Sequence, residues 1–474
     1  MLKSLLSEQP KIFKYWSIFT FFVGISLVFI VPPFQSPDEF NHFYRIYQIS
    51  EGQLSGEIDS TKTQLGGFIP SSLITVSTYY EYIPFRKSEI TSLDTLKKYI
   101  STPLEKDKKE FKAFPNTARY TFTTYLPQIL TFSILRQLDT PPILILYIAR
   151  LITFLFWFVL VNIAVLKTPI FKEIFMCFLL LPSSLAINST INADVINNAF
   201  YFLIFMLFFR FREKTHVITA KELILFSTLL LITSINKLVY FPILGLLFLV
   251  KSPQFGGMIK KIYFIGFNIV LNLIVVLVIN SHVHSLIYPI KGNIDWTTYE
   301  GLRPGYCVNP DQQIQLILEK PVGFIIDLAI KSVYAINNSL NSWIGCFGWE
   351  SSIPNGLEGF FCLLLLSFVL LIGKKFAFWE RVFLQLIPLS MIMLFLLSQH
   401  LHWGEVGAYI LDDFNGKYFI PIFPLFYWSF SGLLSSFSQK KEQLVTFSKR
   451  FMVFAFVVLY IDFIILVIDR YYIV

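Results

Sequence analysis

RYTFTTYLPQILTFSILRQL, residues 119–138, decides how the chain is threaded. It is apolar enough to be read as a membrane span, yet it is more polar and aromatic than the other candidates, with Arg119 and Arg136 near its ends. The rest of the chain is that of a polytopic membrane protein. Of 474 residues, 55% are hydrophobic, 18% aromatic and only 15% charged, where a soluble domain carries about 25% charge. A span needs roughly 20 apolar residues. On that measure 15–32, 142–165, 170–187, 193–210, 221–235, 237–250, 261–281, 357–373, 381–398, 416–437 and 450–468 qualify, about eleven in all. The first is too long for a signal peptide and lacks a small-residue cleavage site.

The basic residues settle the ambiguous segment. If 119–138 lies in the interface, then Lys167/Lys172, Arg210/Arg212/Lys214, Lys251/Lys260/Lys261, Lys374/Lys375 and Lys440/Lys441/Lys449/Arg450 share one side with Lys3, Lys11 and Lys14. The short opposite loops, 188–193 and 399–415, then hold no Lys or Arg. If it crosses, every later basic loop is flipped outward, against the positive-inside rule. The expected fold is therefore an all-α polytopic membrane protein, one integral domain over 1–474, with the N-terminus cytoplasmic and 119–138 an amphipathic interfacial helix. Three polar stretches face outward: a first loop at about 36–141 with two juxtamembrane helices, a second at about 282–356, and 399–415. The net charge of +8 is spread between apolar segments as topology signals, which argues against nucleic acid. No internal repeat is visible, and charges stand at segment ends rather than in stripes through them, which argues against a channel or a transporter built on repeated halves.

Working outward, SPDEFNHFYRIYQIS (Ser36–Ser50) follows the first span and sets two adjacent carboxylates at the membrane surface. One reading is a helix start: Ser36 as N-cap, Pro37 at the first position, Glu39 completing a capping box. The other is chemical. Asp38, His42 and Arg45 are spaced i, i+4, i+7 and share a helix face, and an acid at a helix N-terminus stays ionised as a general base must. Further along, Asp194 opens a span after LPSSLAINSTINA, as either a helix-start carboxylate or a second acid aimed into the cavity of Asp38. Lys237 is a lone cation between two apolar stretches that suit a hairpin with its tip outward, either a snorkelling interface lysine or a phosphate ligand. LNSWIGCFGWESSIPN (Leu340–Asn355) offers Trp343, Trp349 and Glu350, which suit either an interface belt or a sugar. LDDFNGKYFIPIFP contains Asp412, Asp413, Lys417 and Tyr418, where Lys417 suits either an interface anchor or a lipid phosphate. His400, His402 and Glu405 could ligate a metal but lack a fourth partner at set spacing. The four cysteines include none at C-x-x-C spacing; Cys307 and Cys346, both on outer loops, are either a disulfide or two thiols.

The order of these pieces resembles the GT-C superfamily of membrane glycosyltransferases, and more closely the bacterial domain-of-unknown-function 2142 family. The matching residues are SPDEFNHFYRIYQISEG, LPSSLAINSTINADVINN, INKLVYFPILGLL, DQQIQLILEKPVGF, SWIGCFGWESSIP and GKYFIPIFPLF, in order along nearly the whole chain. The family pattern has GRYF where this chain has GKYF; Lys keeps the charge and loses bidentate geometry. The resemblance implies a GT-C-like bundle in the bacterial cell (inner) membrane, with the active site on the outer face. It implies a polyprenyl-phosphate-linked sugar donor and a glycan or polymer acceptor of the cell envelope. Asp38 and Glu39 would be the catalytic carboxylates, with Asp38 the base of an inverting transfer. His42, Arg45, Asp194, Lys237, Trp343, Trp349, Glu350, Lys417 and Tyr418 would bind substrate, with a divalent cation (Mg or Mn) used by some members and not by others. The rival expectation is a non-enzymatic flippase or assembly protein for lipid-linked glycans.

Overall fold

Helix Asp194–Glu213 runs through the middle of the bundle and is almost wholly enclosed by protein, which is why its apolar residues form no single stripe. The computed structural model describes residues 11–60, 64–84, 86, 88–287, 308–349, 355–410, 415–434 and 441–473. The chain is mostly helical. Among the described residues six helices are long and apolar enough to cross a membrane: Lys11–Ile30, Pro142–Lys167, Asp194–Glu213, Met258–Ile279, Phe378–His402 and Glu442–Tyr472.

Other expected crossings are broken. The stretch 170–187 divides at Pro182 into helices Lys172–Leu179 and Pro182–Asn188. A break inside a membrane protein frees backbone groups that must find partners. Here the Tyr460 hydroxyl donates to Leu180 O (2.7 Å), Asn188 Nδ2 to Ser184 O (2.7 Å), and Asn192 Nδ2 to Ile187 O (2.7 Å). The hairpin around Lys237 pairs helix Ala220–Asn236 with a 3₁₀ helix, Leu238–Leu249. At about 2.0 Å rise per residue, those 12 residues reach further than an α-helix of the same length.

Segment 119–138 is a short 3₁₀ turn, Phe122–Tyr125, followed by helix Leu126–Leu135. Ten residues extend only about 15 Å, half of a hydrocarbon core. Leu126, Leu130, Ile134 and Leu138 point outward, while Gln128, Thr131 and Phe132 are buried. The helix is therefore too short to cross, and its apolar face is turned away from the protein.

The first polar stretch also contains a small sheet, a departure from the all-α expectation. Strands β1 (Glu57–Ile58), β2 (Leu65–Pro70) and β3 (Lys109–Ala113) pair antiparallel in that order, with Gly66 opposite Ala113 and Pro70 opposite Lys109. The Gly66-Gly67 pair allows it. A Cβ at Gly66 would lie 2.0 Å from Lys112 O, and one at Gly67 would lie 2.4 Å from the Gln48 side chain. The sheet thus presses onto helix Glu39–Ser50, where Gln48 Nε2 donates to Gly66 O at 3.3 Å. That contact braces the helix that begins beside Asp38.

Candidate functional site

Helix Glu39–Ser50 starts at Glu39, with Asp38 as the residue before it in a left-handed conformation (φ 61°, ψ 11°). An Asp tolerates this region at modest cost. The expected capping box is absent: Asp38 makes no side-chain cap bond, Ser36 Oγ accepts from Thr190 Oγ1 at 3.0 Å, and Glu39 turns elsewhere. Asp38 is thus released from helix capping. Its Oδ1 accepts from Asn116 Nδ2 at 2.8 Å.

Glu39 is fully buried and held by Arg150, which is also fully buried. Arg150 Nε donates to Glu39 Oε1 at 2.7 Å, its Nη2 pairs with Oε2, and Ile191 N donates to Oε1 at 3.1 Å. The same guanidinium donates to Val31 O (2.7 Å) and Pro32 O (2.9 Å). This cluster staples the end of the first span to helix Pro142–Lys167 and to the Ile191 turn. Glu39, expected as a second catalytic carboxylate, has both oxygens committed to this clamp. Breaking such a pair leaves an uncompensated buried charge, so its removal is costly.

Arg45 is likewise structural. It donates to Tyr120 O (Nη2, 2.9 Å), Leu54 O (2.6 Å) and Gln48 Oε1 (2.5 Å), closing the end of its own helix onto the first polar stretch. The substrate role expected for it is not supported by this geometry, because its donors are spent on carbonyls. His42 is buried, with Nδ1 at 2.6 Å from the Tyr125 hydroxyl. Burial, aided by Lys417 and Lys237 and opposed by Asp194, lowers its pKa to about 3, so it is a neutral imidazole.

Three remote segments bring their charges together beside Asp38. Lys237 Nζ is paired with Asp194 Oδ1, and Lys417 Nζ lies 3.9 Å from Asp194 Oδ2. Both ammonium groups stand over the Tyr418 ring, at 4.4 and 5.1 Å from its centroid, which adds an attraction to the ring face. Tyr418 is fixed by Tyr240, whose hydroxyl donates to Tyr418 O at 2.9 Å. Asp38 feels all three charges. Burial raises its pKa above the usual aspartate value and Asp194 adds to this, while Lys417, Lys237 and the Asn116 hydrogen bond pull it back. The Tyr120 hydroxyl is kept neutral by burial and by the Asp194 and Asp38 carboxylates, with Lys417 opposing. A narrow cleft lined by Ser36, Pro37, Thr190, Cys346 and Lys417 joins the Asp38 turn to the Lys417 turn.

Behind the charges lies a polar layer. Asn236 Oδ1 accepts from Thr123 and Thr124 (2.9 Å each), and Asn236 Nδ2 donates to Asn197 Oδ1 at 3.1 Å. This layer ties the hairpin tip to segment 119–138 and to the central helix, so Lys237 is presented on a fixed support.

The tryptophans divide. Trp343, expected to bind sugar, is fully buried in a ring cluster with Phe423 (4.6 Å), Tyr427 (5.5 Å) and Phe178 (6.0 Å). It is core, because helix Pro321–Gly345 directs it inward. Trp349 is half-buried just beyond that helix. Glu350, Asp412, Asp413 and Cys307 lie outside the described residues. Cys346 is a free thiol whose Sγ is 3.6 Å from Asn415 Nδ2. His400 is buried against Gln313, with its ring tilted against that of Phe324 at 5.6 Å between centroids.

Among the described residues the donor set does not fit a divalent cation. Among the described residues no three His, Cys, Asp or Glu side chains converge, and Asp194 is already turned on two ammonium groups. Such ions take several oxygen ligands together.

The family model described as predicted membrane protein (DUF2142) matches residues 21–426, which takes in Asp38, Asp194, Lys237 and Lys417. The chain belongs to the DUF2142 family. No curated protein and no solved structure matches it. The match runs from the first span to helix Phe423–Ser429, so the whole charged cluster of this DUF2142 protein falls inside the family's boundaries. Arg150 and Asn116 were not singled out from the sequence. Arg150 had a signal, a lone cation inside an apolar helix, which is a functional or structural marker by default. Asn116 had none; only the folded loop brings it to Asp38.

Proposed function

We propose that this protein is a glycosyltransferase that moves a sugar from a polyprenyl-phosphate carrier to a glycan or polymer acceptor at the outer membrane face, with inversion. The observation that supports the reading is the convergence of Asp38, Asp194, Lys237 and Lys417 from four separate segments at one end of the bundle. An otherwise apolar protein has little reason to gather two carboxylates and two ammonium groups there unless the charges act on a ligand.

The chemistry follows from the types of groups. Asp38 accepts the proton of an acceptor hydroxyl. The hydroxyl oxygen bonds to the anomeric carbon as the bond from that carbon to the phosphate oxygen breaks. The electron pair leaves with the phosphate, whose growing negative charge falls to Lys237 and Lys417. Their partner Asp194 holds both cations in place before the phosphate arrives. Burial and Asp194 raise the pKa of Asp38, which makes it a stronger base than a surface aspartate. Asn116 is a positioning residue: it fixes one Asp38 oxygen and leaves the other for the acceptor.

The test is transfer by the purified protein from a pool of polyprenyl-phosphate sugars to envelope acceptor material. Asp38→Asn is expected to lower turnover by roughly 10²- to 10⁴-fold, the usual worth of a general base. Turnover within a few-fold of wild type would remove Asp38 from the reaction and favour a carrier or flippase.

A further inference from the structure

At the end of the bundle opposite Asp38 a cavity of about 490 Å³ opens between the start of helix Lys11–Ile30 and the end of helix Pro142–Lys167. We propose that this cavity binds the headgroup of an anionic glycerophospholipid, with an acyl chain laid along the first helix. None of its residues takes part in the charged cluster described above, so this inference stands apart from the transferase reading.

Charge, shape and position argue for that occupant. The walls are apolar, from Ile12, Phe13, Val165 and Leu166, and Lys172 and Lys374 stand over them. Each carboxylate nearby is already matched: Glu173 pairs with Lys449 at 2.7 Å and Glu213 with Lys374 at 2.5 Å. Lys172 is left without an ion pair or hydrogen bond among the described residues. Three ammonium groups thus face two carboxylates, and the surplus is positive. Phe171, at φ 64°, turns the chain so that helix Lys172–Leu179 starts at the cavity with no side-chain cap from Phe171. The positive end of that helix adds to the attraction for a phosphate. The apolar walls continue out of the cavity as an exposed stripe, Ile12, Tyr15, Ile18, Phe22 and Phe29, along the first helix. A soluble anion would gain nothing from this stripe, whereas an acyl chain covers it. The volume suits a headgroup and the first part of its chains, within the usual range of small-ligand sites.

The test uses the full chain in detergent, titrated with phosphatidylglycerol or with phosphatidylcholine of the same acyl chains, and bound lipid is read by native mass spectrometry. Wild type is expected to prefer phosphatidylglycerol. Lys172→Glu with Lys374→Glu is expected to lower that affinity roughly tenfold or more, while Lys172→Arg keeps it. Ile12→Trp, which fills the cavity without changing charge, is expected to lower affinity for phosphatidylglycerol as well. Each variant is checked by its helical circular dichroism, so loss of fold is read separately. Equal binding of the two lipids, or unchanged phosphatidylglycerol affinity in both the charge-reversed and the filled variants, overturns the proposal. So does full competition by inorganic phosphate, which would make this a small-anion site.

Discussion

The Asp38 side chain is what the rest of the charged cluster acts upon, and its environment predicts opposite effects on activity and stability. Its carboxyl pKa is raised chiefly by burial, with Asp194 adding and Lys417 opposing. For an acid whose folded pKa lies above its unfolded value, the ionised form is disfavoured by the fold, so the group costs stability at every pH above the unfolded value. Asp38→Asn is therefore expected to raise the melting temperature at neutral pH while removing activity, and thermal unfolding in detergent checks it. The same sign sets the pH profile. Activity is expected to fall on acidification at a pH above the ordinary aspartate value of about 3.9, and a profile of kcat/KM shows where. His42, held neutral, contributes no acidic limb near neutrality. At Glu39 and Arg150 the expectation is different. Arg150→Met is expected to cost about 3–5 kcal/mol because it strands a buried carboxylate, and the double variant with Glu39→Leu should cost less than the single one. A denaturation series measures both. At this scale the sequence was a partial guide. The SPDE stretch announced two carboxylates but not which one the fold would consume. That was decided by Arg150, more than a hundred residues away.

Elements carry the residues to the site, and their breaks matter more than their spans. Gly416 lies in the turn that delivers Lys417 and Tyr418 against the end of helix Pro321–Gly345. A Cβ there would meet Trp343 N at 2.2 Å and Ser342 C at 2.3 Å, both backbone atoms that cannot swing aside. Gly416→Ala is expected to push the Lys417 turn off Asp194 and lower transfer at least tenfold, a loss of about 1.4 kcal/mol in transition-state stabilisation. An activity assay beside a melting curve separates this from unfolding. The GKYF run was readable as a motif, but the close approach that gives its glycine a purpose was not, because the partner backbone is remote in sequence. The hairpin tip at Lys237 was legible from its interruption, since one Asn-Lys pair divided two apolar runs. The sheet of the first polar stretch was not. Its central strand carries two glycines directly after Leu65, which give no strand signal, and it packs on helix Glu39–Ser50 through Gln48.

Over the whole molecule, the positive-inside pattern and segment lengths lead to one threading, and the ten-residue helix at Leu126–Leu135 agrees with it by being too short to cross. Single cysteines placed at Lys109 and at Asp139, on either side of 119–138, are accordingly expected to label from the same side of the membrane. Labelling from opposite sides would reverse the reading of 119–138. That threading brings Asp38, Asp194, Lys237 and Lys417 to one end of the bundle, and the proposed transfer depends on it. The most direct test of the proposal compares envelope glycans from cells lacking the gene and complemented with wild type or with Asp38→Asn at equal membrane abundance. A sugar lost on deletion is expected to return with wild type and to stay missing with Asp38→Asn. Full restoration by Asp38→Asn would overturn the proposed transfer.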